Sequence, residues 1–393
     1  MGALALATAA GLLGPLFAAG RRGLVPVVVG ELLAGVLLGH TGTGWLDPGQ
    51  VPLPSLRGLG FALLMLTAGT HVDLASPAIR RGAAGGLSSA VLTAALAVPA
   101  GLLLARTTGG RGALLVVLIA GSSAAVAYPI LEERSAPLAR TARLLAWVAI
   151  ADTVTVVVMP LSLSAGHDLS GALLGDLAIV AIAGVLMVAA PRLARSRASA
   201  RARELSVRRH WALQLRLSLV LLLVLSTVAD RSGGSALVAG FAAGMVLVRL
   251  REPDRLALQL TGLADGFLVP LFFVLLGASL DLRALVHSPS ALALTAGLAA
   301  TVVVVHVVAA LVTVPRDRLA TGLSASAQLG LPAAAASLGL STGALDPAGA
   351  AALVAAACVT LVPATIGARM LSTMAPAAPP GQPVAASRAG SGR

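Results

Sequence analysis

The chain is a succession of long apolar runs cut by short polar stretches, with neither the one-faced nor the alternating pattern of a water-soluble fold. Helices that cross a ~30 Å hydrocarbon layer need about 17 to 25 apolar residues. By that measure thirteen spans are predicted, at about 3–19, 23–39, 56–72, 83–104, 112–131, 144–164, 170–190, 211–229, 233–249, 264–280, 289–314, 319–340 and 347–367. Backbone amides and carbonyls in lipid must be paired within the segment, so the expected fold is all-α and polytopic.

One run carries an acid near its middle. In LLAWVAIADTVTVVVMPLSLS, residues 144–164, Asp152 lies nine residues beyond Arg143, or roughly 13 Å at ~1.5 Å per residue, close to the bilayer midplane. An ionised carboxylate facing lipid there would cost at least ~2.5 kcal/mol. Asp152 must therefore face a protein interior or an aqueous cavity, or carry a proton, and it is the leading functional candidate.

Composition agrees: 57% of the residues are hydrophobic and 11% charged, where soluble domains carry ~25% charged residues. The net charge of +12 comes from 28 basic residues, all arginine. They punctuate the spans instead of forming a patch on a soluble domain, which excludes nucleic acid as a partner. Loops after odd-numbered spans, with the C-terminal tail, hold 22 arginines; loops after even-numbered spans hold five. The positive-inside rule then puts the N-terminus outside and the C-terminus in the cytoplasm.

The longest basic stretch, about 191–209, divides the spans into two groups; it is a topogenic linker or a contact for anionic lipid. Residues 1–367 read as one membrane domain, and 368–393 as a disordered cytoplasmic tail, poor in apolar residues. No basic segment precedes the first apolar run, so that run is expected to stay as a span. The lone Cys358 can form no intramolecular disulfide, and the six histidines show no metal-ligand spacing. No cofactor or metal is expected.

An internal repeat crosses the basic linker. GELLAG at 30–35 resembles AGFAAG at 239–244, and LTAGTHVDL at 66–74 resembles LLGASLDL at 275–282. The spacing matches: 38 residues from Gly35 to Asp73, and 37 from Gly244 to Asp281. Span two would run outward and span nine inward, so the copies have opposite topology, which places a substrate site at their interface near the midplane.

Two segments are expected to interrupt their helices. IAGSSAAVAYP carries Gly121, Ser122, Ser123 and Pro129; GLSASAQLGLP carries Ser324, Ser326, Gln328, Gly330 and Pro332. Proline removes a backbone donor, and small hydroxyl residues can satisfy the groups it frees. Broken spans expose helix ends and carbonyls, with which a carrier builds an ion site from few charges. Glu31, about eight residues into span two, and His306, within span eleven, are the remaining intramembrane candidates.

GELLAGVLLG, LLMLTAGTHVDL, IADTVTV, LVAGFAAGMVLV and VPLFFVLLGASLDL, in this order, resemble the membrane domain of cation:proton antiporters of the sodium/hydrogen exchanger superfamily, in its bacterial thirteen-span branch. The resemblance runs from about residue 20 to 367. It implies inverted repeats with two crossed broken helices, and a core of about 83–164 and 289–367 moving in an elevator-like cycle against a dimerisation scaffold in the inner membrane. It also implies a homodimer, and exchange of Na⁺ or K⁺ for H⁺ with Asp152 binding either ion. Hydroxyls near Ser122, Ser123, Ser324 and Ser326 would complete the oxygen shell.

Three departures from the family pattern stand out. Ala151 precedes Asp152 where many relatives have a second polar residue; His306 aligns where electrogenic relatives have a lysine; and Gln328 lies near the place of an Arg-Gly-Glu-like triplet. Ala151 and the absence of lysine point to one-for-one exchange, unless His306 carries a second proton; His306, Gln328 and Glu31 are the candidate partners of the acid. A non-transporting membrane scaffold or sensor, a channel-like K⁺ efflux system and an organic-ion symporter are the alternatives.

Overall fold

The computed structural model describes residues 2–19, 27–71, 77–133, 138–164, 169–194, 211–249 and 254–373, with a few positions between 196 and 209. Of the tail expected at 368–393, residues 368–373 continue the last helix, Pro347–Thr373, with Ala368 and Leu371 buried, so the disorder expected there is corrected; 374–393 and most of the basic linker lie outside the described residues. The described secondary structure is entirely helical.

The order is α1 (Gly2–Gly11), α2 (Leu13–Ala19), α3 (Val27–Leu38), α4 (Leu53–Thr70), α5 (Pro77–Thr108), α6 (Gly112–Ala120), α7 (Ala124–Glu133), α8 (Leu138–Leu163) and α9 (Leu169–Ala194). There follow α10 (Leu213–Ser232), α11 (Ala236–Arg249), α12 (Asp254–Leu263), a π-turn (Ala264–Leu268) and α13 (Val269–Ser279). The chain ends with α14 (Leu282–His287), α15 (Pro289–Thr313), α16 (Arg318–Ala325), α17 (Gly330–Ser341) and α18 (Pro347–Thr373). Eight helices are long and apolar enough to span a membrane, and shorter apolar helices accompany them. The protein is a multi-pass membrane protein. The described part of each predicted apolar run is mainly helical, and the runs at 3–19, 112–131 and 319–340 are each split into two helices, so that eight long spans stand where thirteen were expected, beside shorter apolar helices.

The helices pack in two groups. Helix α5 lies along α8, α6 and α15, while α18 packs on α15, α16 and α17. In the other group α3 packs on α13, α4 on α11, and α9 on both α10 and α11.

The second group is held by glycines. A methyl on Gly35 would overlap the Val274 carbonyl, and one on Gly277 the Leu32 carbonyl, so α3 and α13 touch backbone to backbone. A methyl on Gly244 would overlap the Leu66 carbonyl, and one on Gly69 the Phe241 carbonyl, so α4 and α11 do the same. Each glycine meets the carbonyl of the residue three before its partner glycine. Gly35 and Gly244 correspond in the sequence repeat, as do Gly69 and Gly277, so the contact recurs with the two halves exchanged. Small residues let membrane helices approach this closely, where dispersion and backbone contact do the work that water exclusion does in soluble proteins.

Candidate ion site

Asp152 sits at the middle of the Thr141–Leu163 span, eleven residues from either end, and is buried. Its position is set by the two interruptions. Helix α6 ends at Ala120, Gly121 turns to extended backbone at φ −71° and ψ 157°, and α7 begins at Ala124. Helix α16 ends at Ala325, and α17 begins at Gly330 after Leu329 at φ −154° and ψ −52°. The breaks therefore fall at 121–123 and 326–329. The prolines lie downstream of them: residue 129 is inside α7, and Pro332 is the third residue of α17, in the first turn, where a missing N–H costs no helical bond.

A helix end leaves carbonyls without partners, and here each broken span supplies donors to the other. Gln328 Nε2 donates to the carbonyls of Leu118 and Gly121, both at 2.6 Å. Ser122 Oγ donates to the carbonyl of Ala325 at 2.6 Å, and the Ser123 amide donates to that of Ala327 at 2.9 Å. The two breaks thus meet and cap one another. Asp152 enters from α8: its Oδ2 accepts from the Ala124 amide at 3.0 Å, the first amide of α7. That places the carboxylate at the positive end of a half-helix. Among the described residues Asp152 Oδ1 and Ser123 Oγ make no hydrogen bond.

Of the other predicted residues, Ser324 and Ser326 are buried at the second break, but their hydroxyls bond their own helix, to Ala320 at 2.8 Å and Leu323 at 2.7 Å. His306 is fully buried and stacks on Trp147, with ring centroids 5.6 Å apart and planes 17° from parallel. Its Nδ1 donates to the Val302 carbonyl at 2.8 Å, while among the described residues His306 Nε2 and Trp147 Nε1 meet no hydrogen-bond partner at standard geometry; the ring also interacts with the backbone of Gly121, at the first break. Trp147 precedes Asp152 by five residues, ~7.5 Å along the helix and about 140° around it. The described residues contain no ion pair between His306 and Asp152. Glu31 lies elsewhere, on α3 against α2.

Sequence reasoning passed over Asp176 on α9. It is buried, accepts the Ser235 amide at 2.8 Å through Oδ1, and ties α9 to the start of α11. A lone acid in an apolar run, the signal that marked Asp152, was there to find it.

The description "Sodium/hydrogen exchanger, transmembrane" matches residues 7–373. The chain belongs to the sodium/hydrogen exchanger family. Among the relatives of this chain, the putative Na⁺/H⁺ antiporter YjbQ of Bacillus subtilis (strain 168) is 27% identical over 277 residues, covering 66% of this chain and 44% of its own length. This chain thus spans under half of that relative. The Na⁺/H⁺ antiporter of Enterococcus hirae is 24% identical over 280 residues, covering 66% of this chain and 68% of its own. The solved sodium proton antiporter MjNhaP1 of Methanocaldococcus jannaschii superposes with a TM-score of 0.61 at 17% identity, over 94% of this chain and 97% of that one, and so shares the fold.

Proposed function

We propose that this exchanger is a secondary antiporter that trades a monovalent cation, Na⁺ or K⁺, for H⁺, with Asp152 binding either in turn. The observation that carries the reading is the bond from the Ala124 amide to Asp152 Oδ2, which leaves Oδ1 unbonded at the crossing of two broken helices. One carboxylate can hold a proton or a cation but not both, and that exclusivity is the coupling. Ser123 Oγ, the backbone carbonyls of the breaks, and after rotamer change the hydroxyls of Ser122, Ser324 and Ser326, supply the oxygen donors that an alkali cation requires.

The packing in two groups supports an elevator-like alternating access in which α5–α8 and α15–α18 carry the site and slide against the group of α3, α4, α11 and α13. The group of α3, α4, α11 and α13 is read as the homodimer side. His306, Gln328 and Glu31 act as supporting residues, Gln328 by holding the two breaks together. The N-terminus lies outside and the C-terminus in the cytoplasm, as the arginine distribution requires.

The test is a pH-sensitive dye in everted vesicles, with Na⁺, K⁺ or Li⁺ added in turn. Dequenching with the wild type and none with Asp152→Asn is expected, the variant being present at normal level and monodisperse. Exchange that persists in the variant overturns the assignment of Asp152. No cation flux from the wild type in proteoliposomes supports the scaffold alternative instead.

A further inference from the structure

Two exposed tryptophans have no part in the ion site. Trp45 lies in the loop between α3 and α4 and is 71% exposed, with Val51 of the same loop at 92%. The loop is well held. Leu46 is fully buried and its amide donates to the Leu38 carbonyl at 2.8 Å, while the Thr43 amide donates to the Leu37 carbonyl at 2.8 Å. Thr41 Oγ donates to the Leu280 carbonyl at 2.9 Å and accepts from the Leu282 amide at 3.0 Å, which ties the loop to the junction of α13 and α14. A structured backbone therefore holds Trp45 and Val51 outward.

Trp211 precedes α10 and is 43% exposed. Its amide donates to the carbonyl of the buried Ser206 at 3.1 Å, Ser206 Oγ accepts from the Leu213 amide at 3.0 Å, and the Arg209 guanidinium lies 5.5 Å from the centre of the indole. Between the two tryptophans the chain crosses the membrane through α4, α5, the broken pair α6 and α7, α8 and α9, an odd number of crossings. They stand on opposite faces of the bilayer.

An indole is an apolar ring with one polar edge. At the boundary of hydrocarbon and headgroups both parts are satisfied, whereas in the hydrocarbon its N–H would lack a partner. Arg209 beside Trp211 adds a charged donor for a lipid phosphate. The aromatic residues are also unevenly shared. The chain has six phenylalanines, three tryptophans and one tyrosine, and only Tyr128 and Trp147 fall in the group of α5–α8 and α15–α18. Both serve that group's interior: Trp147 is fully buried, and Tyr128 Oη donates to the Leu145 carbonyl at 2.9 Å. Among the described residues, the large apolar side chains which that group exposes are all Leu, Val or Ile, such as Leu103, Val304 and Ile366.

We propose that Trp45 and Trp211 anchor the group of α3, α4, α9–α11 and α13 in the headgroup layers of the two leaflets, with phospholipid as the partner, while the group that carries Asp152 has no such anchor. An interfacial indole holds its helix at one depth, and an aliphatic surface does not. The anchoring rests on placement alone; that it leaves the second group free to change depth rests on the elevator reading above.

The experiment is tryptophan fluorescence of the wild type, Trp45→Leu, Trp211→Leu and the double variant in phosphatidylcholine vesicles, with or without a nitroxide on the lipid headgroup. The nitroxide should quench the wild type, each single variant should lose part of the quenchable emission, and the double variant, left with buried Trp147, should be hardly quenched. Both side chains are exposed, so the variants are expected to remain monodisperse. The proposal is overturned if either single variant keeps all of the quenchable emission. It is also overturned if aqueous iodide on both sides quenches the two tryptophans and the nitroxide lipid does not, or if neither does, the result given by a second copy of the chain covering them. Dye-monitored exchange separates the elevator reading. Leu103→Trp, near the end of α5, should slow exchange severalfold, and Leu217→Trp, near the start of α10, should not. With quenching as expected but wild-type exchange in both, the anchors stand and the sliding motion fails.

Discussion

The amide of Ala124 donates to Asp152 Oδ2 at 3.0 Å, and no other group on the chain hydrogen-bonds that carboxylate among the described residues. The amide is the first of its helix and has no intrahelical acceptor, so the bond costs the helix nothing. Ala124→Pro removes the donor at a position where proline suits the start of a helix. A hydrogen bond to a charged group contributes about 1.5–3 kcal/mol, so the half-saturating cation concentration in the dye assay should rise roughly tenfold or more. Ala124→Gly keeps the amide and should stay close to wild type. Equal behaviour of the two variants would show that the bond does not matter.

Gln328 donates to two carbonyls with one amide nitrogen. Gln328→Leu fills similar space, removes the side-chain donor of the Gly121 carbonyl and leaves the Leu118 carbonyl with the 3.3 Å bond from the Gly121 amide, at about 1–3 kcal/mol for a buried acceptor that loses its donor. The unfolding midpoint of the purified protein should fall by several degrees, with exchange reduced in parallel. An unchanged midpoint would mean that the breaks hold together without it.

The glycine contacts predict a paired result. Gly35→Ala and Gly244→Ala sit at corresponding places and each forces a methyl against a carbonyl, an overpacking of about 1–3 kcal/mol. Both should lower thermal stability by similar amounts, whereas Gly262→Ala, with open space around it, should not. A large difference between the first two would break the symmetry of the halves.

Coupling is expected to be one for one. Ala151 offers no second acid, the chain has no lysine, and His306 stacks on Trp147 with its Nδ1 bound to a carbonyl. Cation jumps on a solid-supported membrane should give no sustained charge displacement, and His306→Ala should leave the stoichiometry as it was. A sustained current abolished by His306→Ala would make the histidine a second proton carrier.

The helical fold, the place of Asp152 and the two interrupted spans were legible because lipid permits so few arrangements: long apolar runs must be helices, and an acid among them must be housed. The cause of the interruptions was less legible. Pro129 and Pro332 drew attention to the right segments, yet the helices break before them, at Gly121 and after Ala325, where the two segments satisfy each other. Bonds of that kind run to carbonyls of Leu118, Ala325 and Ala327, and a backbone carbonyl has no letter in a sequence. For the same reason Ser122, Ser324 and Ser326 looked alike, although only Ser122 spans the gap while the other two fold back on their own helix.

The glycine seams also constrain how the protein is made. Each of the four glycines lies in one half of the chain and docks on a carbonyl of the other: Gly35 and Gly69 belong to the half synthesised first, Gly244 and Gly277 to the half synthesised later. When α3 and α4 leave the ribosome, their partners α13 and α11 do not yet exist. Their bare glycine faces must wait in lipid or against the insertion machinery through the synthesis of about two hundred residues. The α4–α11 seam closes only after Gly244 has entered the membrane, and the α3–α13 seam only after Gly277. A nascent chain truncated before α11 should accordingly insert its early helices yet leave them open to cross-linking with lipid or with the translocon, and release should coincide with the arrival of α11 for α4 and of α13 for α3.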